Sequence, residues 1–143
     1  MISKKIKNTI FATILIFIST KAIAMSDLDC LAQAIYGESN GQPKHGQRLV
    51  GEVIVNRSKK IGKSVCGVIH QRGQFTYNKR ISMKKVPQSI FILSEEILRN
   101  VDDISHNMLY FCANRLSKGF GKKNHLRLAT VVGGHSFFNG DFG

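Results

Sequence analysis

A single carboxylate stands among small and polar residues in the segment 36–43 (YGESNGQP). The glycines around Glu38 keep other side chains away and leave one face of its carboxyl group open to a cleft. Desolvation by apolar and aromatic neighbours raises the pKa of a carboxyl group, and a carboxyl that keeps its proton can act as general acid toward a glycosidic oxygen. We interpret Glu38 as a candidate general acid, the alternative being a solvated loop glutamate that helps to cap the next helix.

Amide and aromatic side chains of the kinds that bind sugars are spread along the rest of the chain. Amides hydrogen-bond to hydroxyl and acetamido groups, and aromatic rings stack on pyranose faces. The candidate substrate-binding residues are Tyr36, Gln71, Gln74, Phe75, Tyr110 and His135. Core packing is an equal alternative for Phe75 and Tyr110, and a structural role in a turn is the alternative for His135.

A second catalytic carboxylate has two candidates, Glu52 and Asp141. Glu52 lies beside the apolar stripe of a predicted helix, where a salt-bridged surface residue is the commoner outcome. Asp141 stands near the end of the chain, where chains usually fray. Neither residue makes a convincing partner for Glu38.

Two helices are predicted on either side of Glu38. Ser26 followed by Asp29 has the spacing of a capping box, and the apolar positions behind it recur at helical spacing from 27 to 36. Glycines and a proline then interrupt the pattern, and a second apolar stripe extends over 44–59. Glu38 is therefore expected in the elbow between the two helices.

The rest of the chain alternates short helical and extended patterns. A helical turn or two is predicted at 65–69, a cationic loop containing Phe75 and Tyr77 at 71–85, and a helix from Pro87 to about Asp102. The apolar, partly β-branched runs 108–113 and 126–138 predict short strands or irregular extended segments. The expected class is α+β, mainly helical, with a small strand or irregular C-terminal part.

Length and composition point to one globular domain. The chain has 143 residues, of which 43% are hydrophobic and only two are prolines. These values exclude a disordered tail, a collagen-like fibre and a long solenoid.

The first 24 residues have the three-part layout of a secretory signal peptide. Basic residues precede the uncharged run 9–20, and Ala22-Ile23-Ala24 supplies small residues at the cleavage site. The run is shorter than the roughly 20 residues that cross a bilayer as a helix. We predict a signal peptide at 1–24 and a catalytic domain at 25–143, with an uncleaved N-terminal anchor as the alternative.

The net charge predicts an anionic partner outside the cytoplasm. Removing the four lysines of residues 1–24 lowers the formal charge only from +12 to +8. For an exported protein in the periplasm or outside the cell, such a charge favours an anionic envelope polymer over nucleic acid. No stable membrane span is expected once the signal is cleaved.

Three cysteines, Cys30, Cys66 and Cys112, lie in the predicted mature part. An oxidising compartment permits one disulfide and leaves one thiol, and we expect Cys30 to pair with Cys66. The spacings are too wide for a C-x-x-C motif, and no metal site is predicted.

A family resemblance is carried by several short segments that occur in a fixed order. They are 31–42 around Tyr36-Gly37-Glu38, Gly46-Gln47, 53–57 (VIVNR), 65–71 (VCGVIHQ), 74–76 (QFT), Tyr110-Phe111 and 133–138 (GGHSFF). With these segments the chain resembles the SleB-type cell wall hydrolases, which include the spore-cortex-lytic enzymes and their Gram-negative relatives. Each segment is weak alone, whereas the complete series in order is specific.

The resemblance implies a lysozyme-like single domain that cuts peptidoglycan between N-acetylmuramic acid and N-acetylglucosamine. It places the catalytic glutamate at Glu38, and the usual reaction is lytic transglycosylation, in which one carboxyl is first the acid and then the base. No cofactor is implied. Many Gram-negative relatives have a cysteine where this chain has Gly73, so a disulfide taken over from the family could be absent or rearranged.

Three other functions remain open at this point. A cysteine peptidase or amidase of the NlpC type would use Cys30 as nucleophile and His135 as base. A non-catalytic protein could bind the envelope through its basic surface. A metal-dependent nuclease is disfavoured because no H-E-x-x-H motif occurs and the nearest pair of ligand types is Cys66 with His70.

Overall fold

The computed structural model describes residues 25–75 and 81–140. The predicted signal peptide at 1–24, the loop residue Tyr77 and the candidate carboxylate Asp141 lie outside these ranges. No helix in the described ranges is long and apolar enough to cross a membrane.

The described ranges contain five α-helices. They are α1 (Asp27–Ser39), α2 (Lys44–Ile61), α3 (Val65–Ile69), α4 (Gln88–Arg99) and α5 (Ser117–Lys123). The first four confirm the helical segments predicted from apolar spacing. The fifth, which is preceded by a 3-10 turn at Asn114–Leu116, was not predicted.

The start of α1 confirms the predicted capping box. The Ser26 hydroxyl oxygen accepts a hydrogen bond from the Asp29 amide at 3.1 Å and donates to the Asp29 carboxylate at 2.8 Å. The first of these bonds satisfies an amide that the helix itself leaves without a partner.

The end of α1 differs from the prediction that Gly37 breaks the helix. The helix continues to Ser39, whose hydroxyl donates to the Ile35 carbonyl at 2.5 Å, and Asn40 caps it through the Tyr36 carbonyl. A glycine inside a helix costs only about 1 kcal/mol, and the burial of this helix outweighs that cost. Glu38 therefore lies on the last helical turn of α1 and not in the elbow between the two helices.

The core is built around α1, which packs against α2, α3 and α4. Leu31 and Ile35 of α1 are fully buried, as are Val50 and Ile54 of α2. A disulfide between Cys30 and Cys66 joins α1 to α3. The central position of α1 holds Glu38 on a rigid support.

Three antiparallel strands form a small sheet in the order β1-β3-β2. They are β1 (Met108–Ala113), β2 (Arg127–Val132) and β3 (His135–Asn139). These strands confirm the extended segments that were predicted at 108–113 and 126–138. The central strand β3 is almost completely buried and brings Phe137 into the helical core.

The turn between β2 and β3 docks onto the connection between α1 and α2. Gly133 adopts a positive φ of 56°, and the Gly134 amide donates to the Gln42 side-chain oxygen at 2.6 Å. A Cβ atom at Gly133 would lie 2.4 Å from the same oxygen. The turn therefore requires glycine, and it fixes the sheet beside the end of α1.

Gly51 sets the distance between α2 and its neighbours. A Cβ atom at this position would lie 2.6 Å from Ile97 Cδ1 and 2.7 Å from Ile35 Cδ1, and both isoleucines are buried. We expect Gly51→Ala to lower the free energy of unfolding by about 1 to 3 kcal/mol, because overpacking outweighs the better helix propensity of alanine. Urea denaturation followed by circular dichroism measures this change.

The matched control for Gly51 is Gly119→Ala in α5, where the added Cβ meets no atom within 4 Å. That substitution should leave stability unchanged or raise it by up to about 1 kcal/mol. Equal effects of the two substitutions would contradict the packing argument.

Candidate active site

A cleft of about 760 Å³ lies where the end of α1 meets the sheet. Five of the residues predicted from the sequence line it together, and they come from four separate parts of the chain. These residues are Glu38, Gln74, Phe75, Tyr110 and His135. The cleft thus combines one carboxylate, one amide and several rings on a single surface.

Two predicted substrate-binding residues, Tyr36 and Gln71, are not among the residues that line this cleft. Tyr36 is half-buried and packs against the hydrophobic core. It precedes Glu38 by two residues, which is about 200° around a helix, so the two side chains leave α1 on different sides. The backbone carbonyl of Gln71 accepts a hydrogen bond from the backbone amide of Gln74.

Arg57 on α2 positions the polar and aromatic groups of the cleft. Its buried guanidinium donates to the side-chain oxygen of Gln74 and, at 3.2 Å, to the carbonyl of Leu109. The same group lies 5.3 Å from the centre of the Tyr110 ring, within the range of a cation–π contact. Arg57 thereby ties α2, the 71–75 loop and β1 together.

Burial lowers the pKa of Arg57, and its interaction with Tyr110 partly opposes that shift. A guanidinium nevertheless stays protonated in proteins. Arg57 belongs to the segment 53–57 that contributes to the family resemblance, and in the structure it lines the cleft. Its helical register alone did not reveal this position.

An aromatic wall forms one side of the cleft. The Phe111 ring lies 6.4 Å from Phe75, 5.5 Å from His135 and 6.0 Å from Phe137, measured between ring centres. These spacings are typical of favourable ring pairs. Because Phe111 and Phe137 belong to paired strands, the sheet register holds the wall in place.

His135 is buried at the start of β3, where it packs against the rings of Phe111 and Phe137. Burial lowers the pKa of His135 because the apolar surroundings disfavour the imidazolium. The ring is therefore neutral at pH 7, and it can present a donor or an acceptor to a ligand but no charge.

The buried neutral state of His135 makes stability depend on pH. Since its pKa is lower in the folded chain than in the unfolded chain, the unfolded chain binds more protons below the ordinary histidine value of about 6.5. Stability should therefore fall as the pH decreases through about 6.5, and His135→Gln should reduce that fall. Urea midpoints at pH 7.5 and pH 5 measure the effect.

The control for this pH dependence is His45→Gln, which removes an exposed histidine from α2. This variant should keep the pH dependence of the unsubstituted protein. An unchanged pH dependence in His135→Gln would show that other groups cause the loss of stability.

Glu52, one of the two candidate second carboxylates, does not line the cleft. Its carboxylate bonds to His106 Nε2 at 2.8 Å, and only 15% of its side chain is exposed. The Asn56 amide completes this cluster by donating to the carbonyls of His106 and Met108. The cluster connects α2 to the beginning of β1, which is a structural role.

The structure rules out the cysteine peptidase alternative. Cys30 is buried and bonded to Cys66, so it has no thiolate with which to attack a carbonyl. The thiol of Cys112 does line the cleft, but burial raises its pKa and keeps it protonated. Cys66 is likewise occupied by the disulfide and cannot pair with His70 as a metal ligand.

Residues 25–75 and 81–140 contain no group of three or more His, Cys, Asp or Glu side chains that could hold a metal ion.

Sequence reasoning missed the side of the cleft that is formed by the segment 114–124. Arg115, Leu116, Phe120 and Asn124 from this segment line the cleft. The spacing of four residues between Leu116, Phe120 and Asn124 is a helical signal, but Gly119 and Gly121 weaken it. Phe120 anchors the segment to the sheet by packing on Tyr110 and Phe138.

Comparison with protein families places this sequence in a known family. Residues 41–138 match the family model that is described as Cell Wall Hydrolase. The chain therefore belongs to the cell wall hydrolase family, which confirms the resemblance found in the sequence.

Individual relatives agree with this assignment. The spore cortex-lytic enzyme of Bacillus subtilis is 45% identical over 53 residues, which are 36% of this chain and 17% of that protein. The corresponding enzyme of Bacillus cereus is 42% identical over 55 residues, 37% of this chain and 21% of that protein. The matched part thus spans about a fifth of the length of these curated relatives.

Two solved structures share the fold. The catalytic domain of the germination-specific lytic transglycosylase SleB from Bacillus anthracis superposes with a TM-score of 0.66 and 24% identity, over 83% of this chain and 98% of that domain. The catalytic domain of Bacillus cereus SleB gives a TM-score of 0.61 and 25% identity, over 82% and 94%. The predicted single-domain, mainly helical α+β class is confirmed.

Proposed function

We propose that this protein is a lytic transglycosylase that cuts the glycan strands of peptidoglycan, with Glu38 as the general acid and base. The scissile bond would join N-acetylmuramic acid to N-acetylglucosamine. The single observation that carries the proposal is the position of Glu38, which lies on a rigid helical turn in a cleft with Gln74, Phe75 and Tyr110.

The proposed reaction needs only one carboxyl group. Glu38 first donates its proton to the glycosidic oxygen while the bond between that oxygen and the anomeric carbon breaks. The resulting carboxylate then accepts the proton of the muramoyl C6 hydroxyl, whose oxygen bonds to the anomeric carbon. An anhydromuramoyl end forms, no water is consumed, and Glu38 regains its proton.

The composition of the cleft supports transglycosylation over hydrolysis. A hydrolase of the usual kind requires a second carboxylate about 5 to 9.5 Å from the acid. Among the described residues that line the cleft, Glu38 is the only carboxylate, and Glu52 is bonded to His106 elsewhere. A transglycosylase places no such demand on the site.

The remaining cleft residues have the chemistry to hold a sugar chain. Gln74, oriented by Arg57, would bond to an acetamido or hydroxyl group. Phe75 and Tyr110 offer ring faces to the pyranoses, and the neutral ring of His135 offers a hydrogen-bonding group. The named activity of the Bacillus anthracis relative, lytic transglycosylation, supports the same reaction here.

Export to the cell wall follows from this function. Peptidoglycan lies outside the cytoplasmic membrane, and the layout of residues 1–24 is that of a secretory signal peptide. We propose that residues 25–143 form the exported catalytic domain, which acts in the periplasm or outside the cell in wall remodelling. The proposed reaction requires no cofactor.

Mass spectrometry of the soluble products tests the proposal. The purified protein is incubated with peptidoglycan, and each product end is identified as anhydromuramoyl or reducing. Anhydromuramoyl ends are expected. Reducing ends would contradict transglycosylation, because they require water as the nucleophile. No products from the folded protein would favour the non-catalytic envelope-binding alternative.

A further inference from the structure

The part of the chain around the cleft-lining segment 114–124 carries an unbalanced positive charge. Residues 104–140 contain no aspartate or glutamate. Five exposed cations occur in the same stretch, at Arg115, Lys118, Lys122, Lys123 and Arg127. Across residues 25–75 and 81–140, the ion pairs involve α2, α4 and their neighbours, and none includes one of these five side chains.

This concentration of charge costs stability in the absence of a ligand. Lys118 and Lys122 are four residues apart on α5, a spacing at which like charges repel. A nearby carboxylate would relieve the repulsion, yet the described part of the segment contains none. An anion bound from outside would lower the positive charge of the segment as a whole.

The position of the cations relative to the cleft selects two of them. Arg115 itself lines the cleft together with Phe120 and Asn124. On α5, Lys123 lies about 60° around the helix from Phe120, whereas Lys118 and Lys122 lie about 160° away on the opposite side. Arg115 therefore lines the cleft, and Lys123 lies on the side of α5 that carries the cleft-lining residues Phe120 and Asn124.

Phe120 and Gly121 anchor the segment that carries these two cations. Phe120 lies 5.5 Å from Phe138 between ring centres, and a Cβ atom at Gly121 would lie 3.0 Å from the Phe138 ring. The side chain of Asn124 donates to the Phe120 carbonyl at 2.8 Å and closes the end of the helix. The segment 114–124 is thus packed against the sheet, and its charged side chains project from a defined surface.

We propose that Arg115 and Lys123 bind carboxylates that belong to the lactyl group of muramic acid or to the stem peptide attached to it. This inference rests on the proposed function, since it takes peptidoglycan as the occupant of the cleft. It predicts a preference for strands whose lactyl substituents are charged, either as free lactyl carboxylates or through the carboxylates of a stem peptide. Strands in which the lactyl group is neutral, as in a muramic lactam, should bind more weakly.

Binding to three kinds of labelled glycan strand tests the charge preference. The strands carry stem peptides, free lactyl carboxylates after removal of the peptides, or methyl esters of those carboxylates. The full chain with Glu38→Gln, which prevents cleavage, should bind at least one charged strand about tenfold more tightly than the ester. Fluorescence anisotropy gives each Kd, and the tighter charged strand identifies the source of the carboxylate.

A charge-matched pair of double variants locates the contact. Arg115→Gln with Lys123→Gln should reduce the preference to less than about twofold. Lys118→Gln with Lys122→Gln removes the same charge from the opposite face of the same element and should retain the preference at 0.15 M salt, where screening acts over about 8 Å. Circular dichroism checks that both variants are folded.

Two results would overturn the inference. One is equal binding of the charged and ester strands by the Glu38→Gln protein, and the other is an equal loss of preference in both double variants. Failure of the proposed function gives a different pattern, in which the unsubstituted protein cleaves no strand while the charge preference in binding persists.

Discussion

Replacement of Glu38 by glutamine should abolish cleavage of peptidoglycan and leave the fold intact. Glutamine has the same shape but cannot donate a proton to the glycosidic oxygen or accept one from the C6 hydroxyl. General acid–base steps contribute about 10²- to 10⁴-fold each, and the proposed mechanism assigns two of them to this group. We expect the rate at which soluble fragments form, measured by chromatography, to fall by at least about 10³-fold.

The control for Glu38→Gln is Glu95→Gln, which removes an exposed carboxylate on α4 whose bond is to Arg99. It should cleave peptidoglycan within about twofold of the unsubstituted rate, because exposed ion pairs are worth little. Full activity in Glu38→Gln would move the chemistry away from this residue. Asp141, which lies outside the described residues, would then be the next carboxylate to test.

Removal of the Cys30–Cys66 disulfide should cause the largest loss of stability. The bond closes a loop between residues 36 positions apart and ties α1 to α3. Loop closure of this length contributes about 3 to 4 kcal/mol in the chain-entropy description. The free energy of unfolding of the double variant Cys30→Ser, Cys66→Ser should therefore be lower by that amount, as measured by urea denaturation.

Cys112→Ser is the matched control, since it removes a thiol and leaves the disulfide in place. Its stability should change by less than about 1 kcal/mol. Below its melting temperature the double variant should retain glycan cleavage, because neither Cys30 nor Cys66 lines the cleft. Equal stability of the reduced and oxidised proteins would contradict the expected contribution of the disulfide.

The helices could be predicted from the sequence because their information is local. The apolar spacing in α1, α2 and α4 has the period of a helix that buries one side. Ser26 and Asp29 cap the start of α1 within one turn. The extended segments followed from their β-branched residues in the same way. The extension of α1 through Gly37 escaped the prediction because packing against its neighbours outweighs a weak local preference.

The candidate site was only partly predictable, because packing decides which side chains face the cleft. Side-chain types and the family resemblance singled out Glu38, Gln74, Phe75, Tyr110 and His135, all of which line the cleft. Tyr36 and Gln71 have equally suitable side chains, and residue type alone cannot say on which side of an element a side chain emerges.

Contacts between distant parts of the chain depended on the tertiary structure. The hydrogen bond from Arg57 to Gln74 joins positions 17 residues apart, and that from Arg57 to the Leu109 carbonyl joins positions 52 apart. No periodicity relates such positions, because they meet only after α2 and the sheet have packed together. The position of Arg115 at the cleft also depends on such contacts, since Phe120 anchors α5 to strands that precede and follow it in the chain. Local composition thus determined the elements and the candidate chemistry, while packing over long sequence distances decided which residues share the cleft.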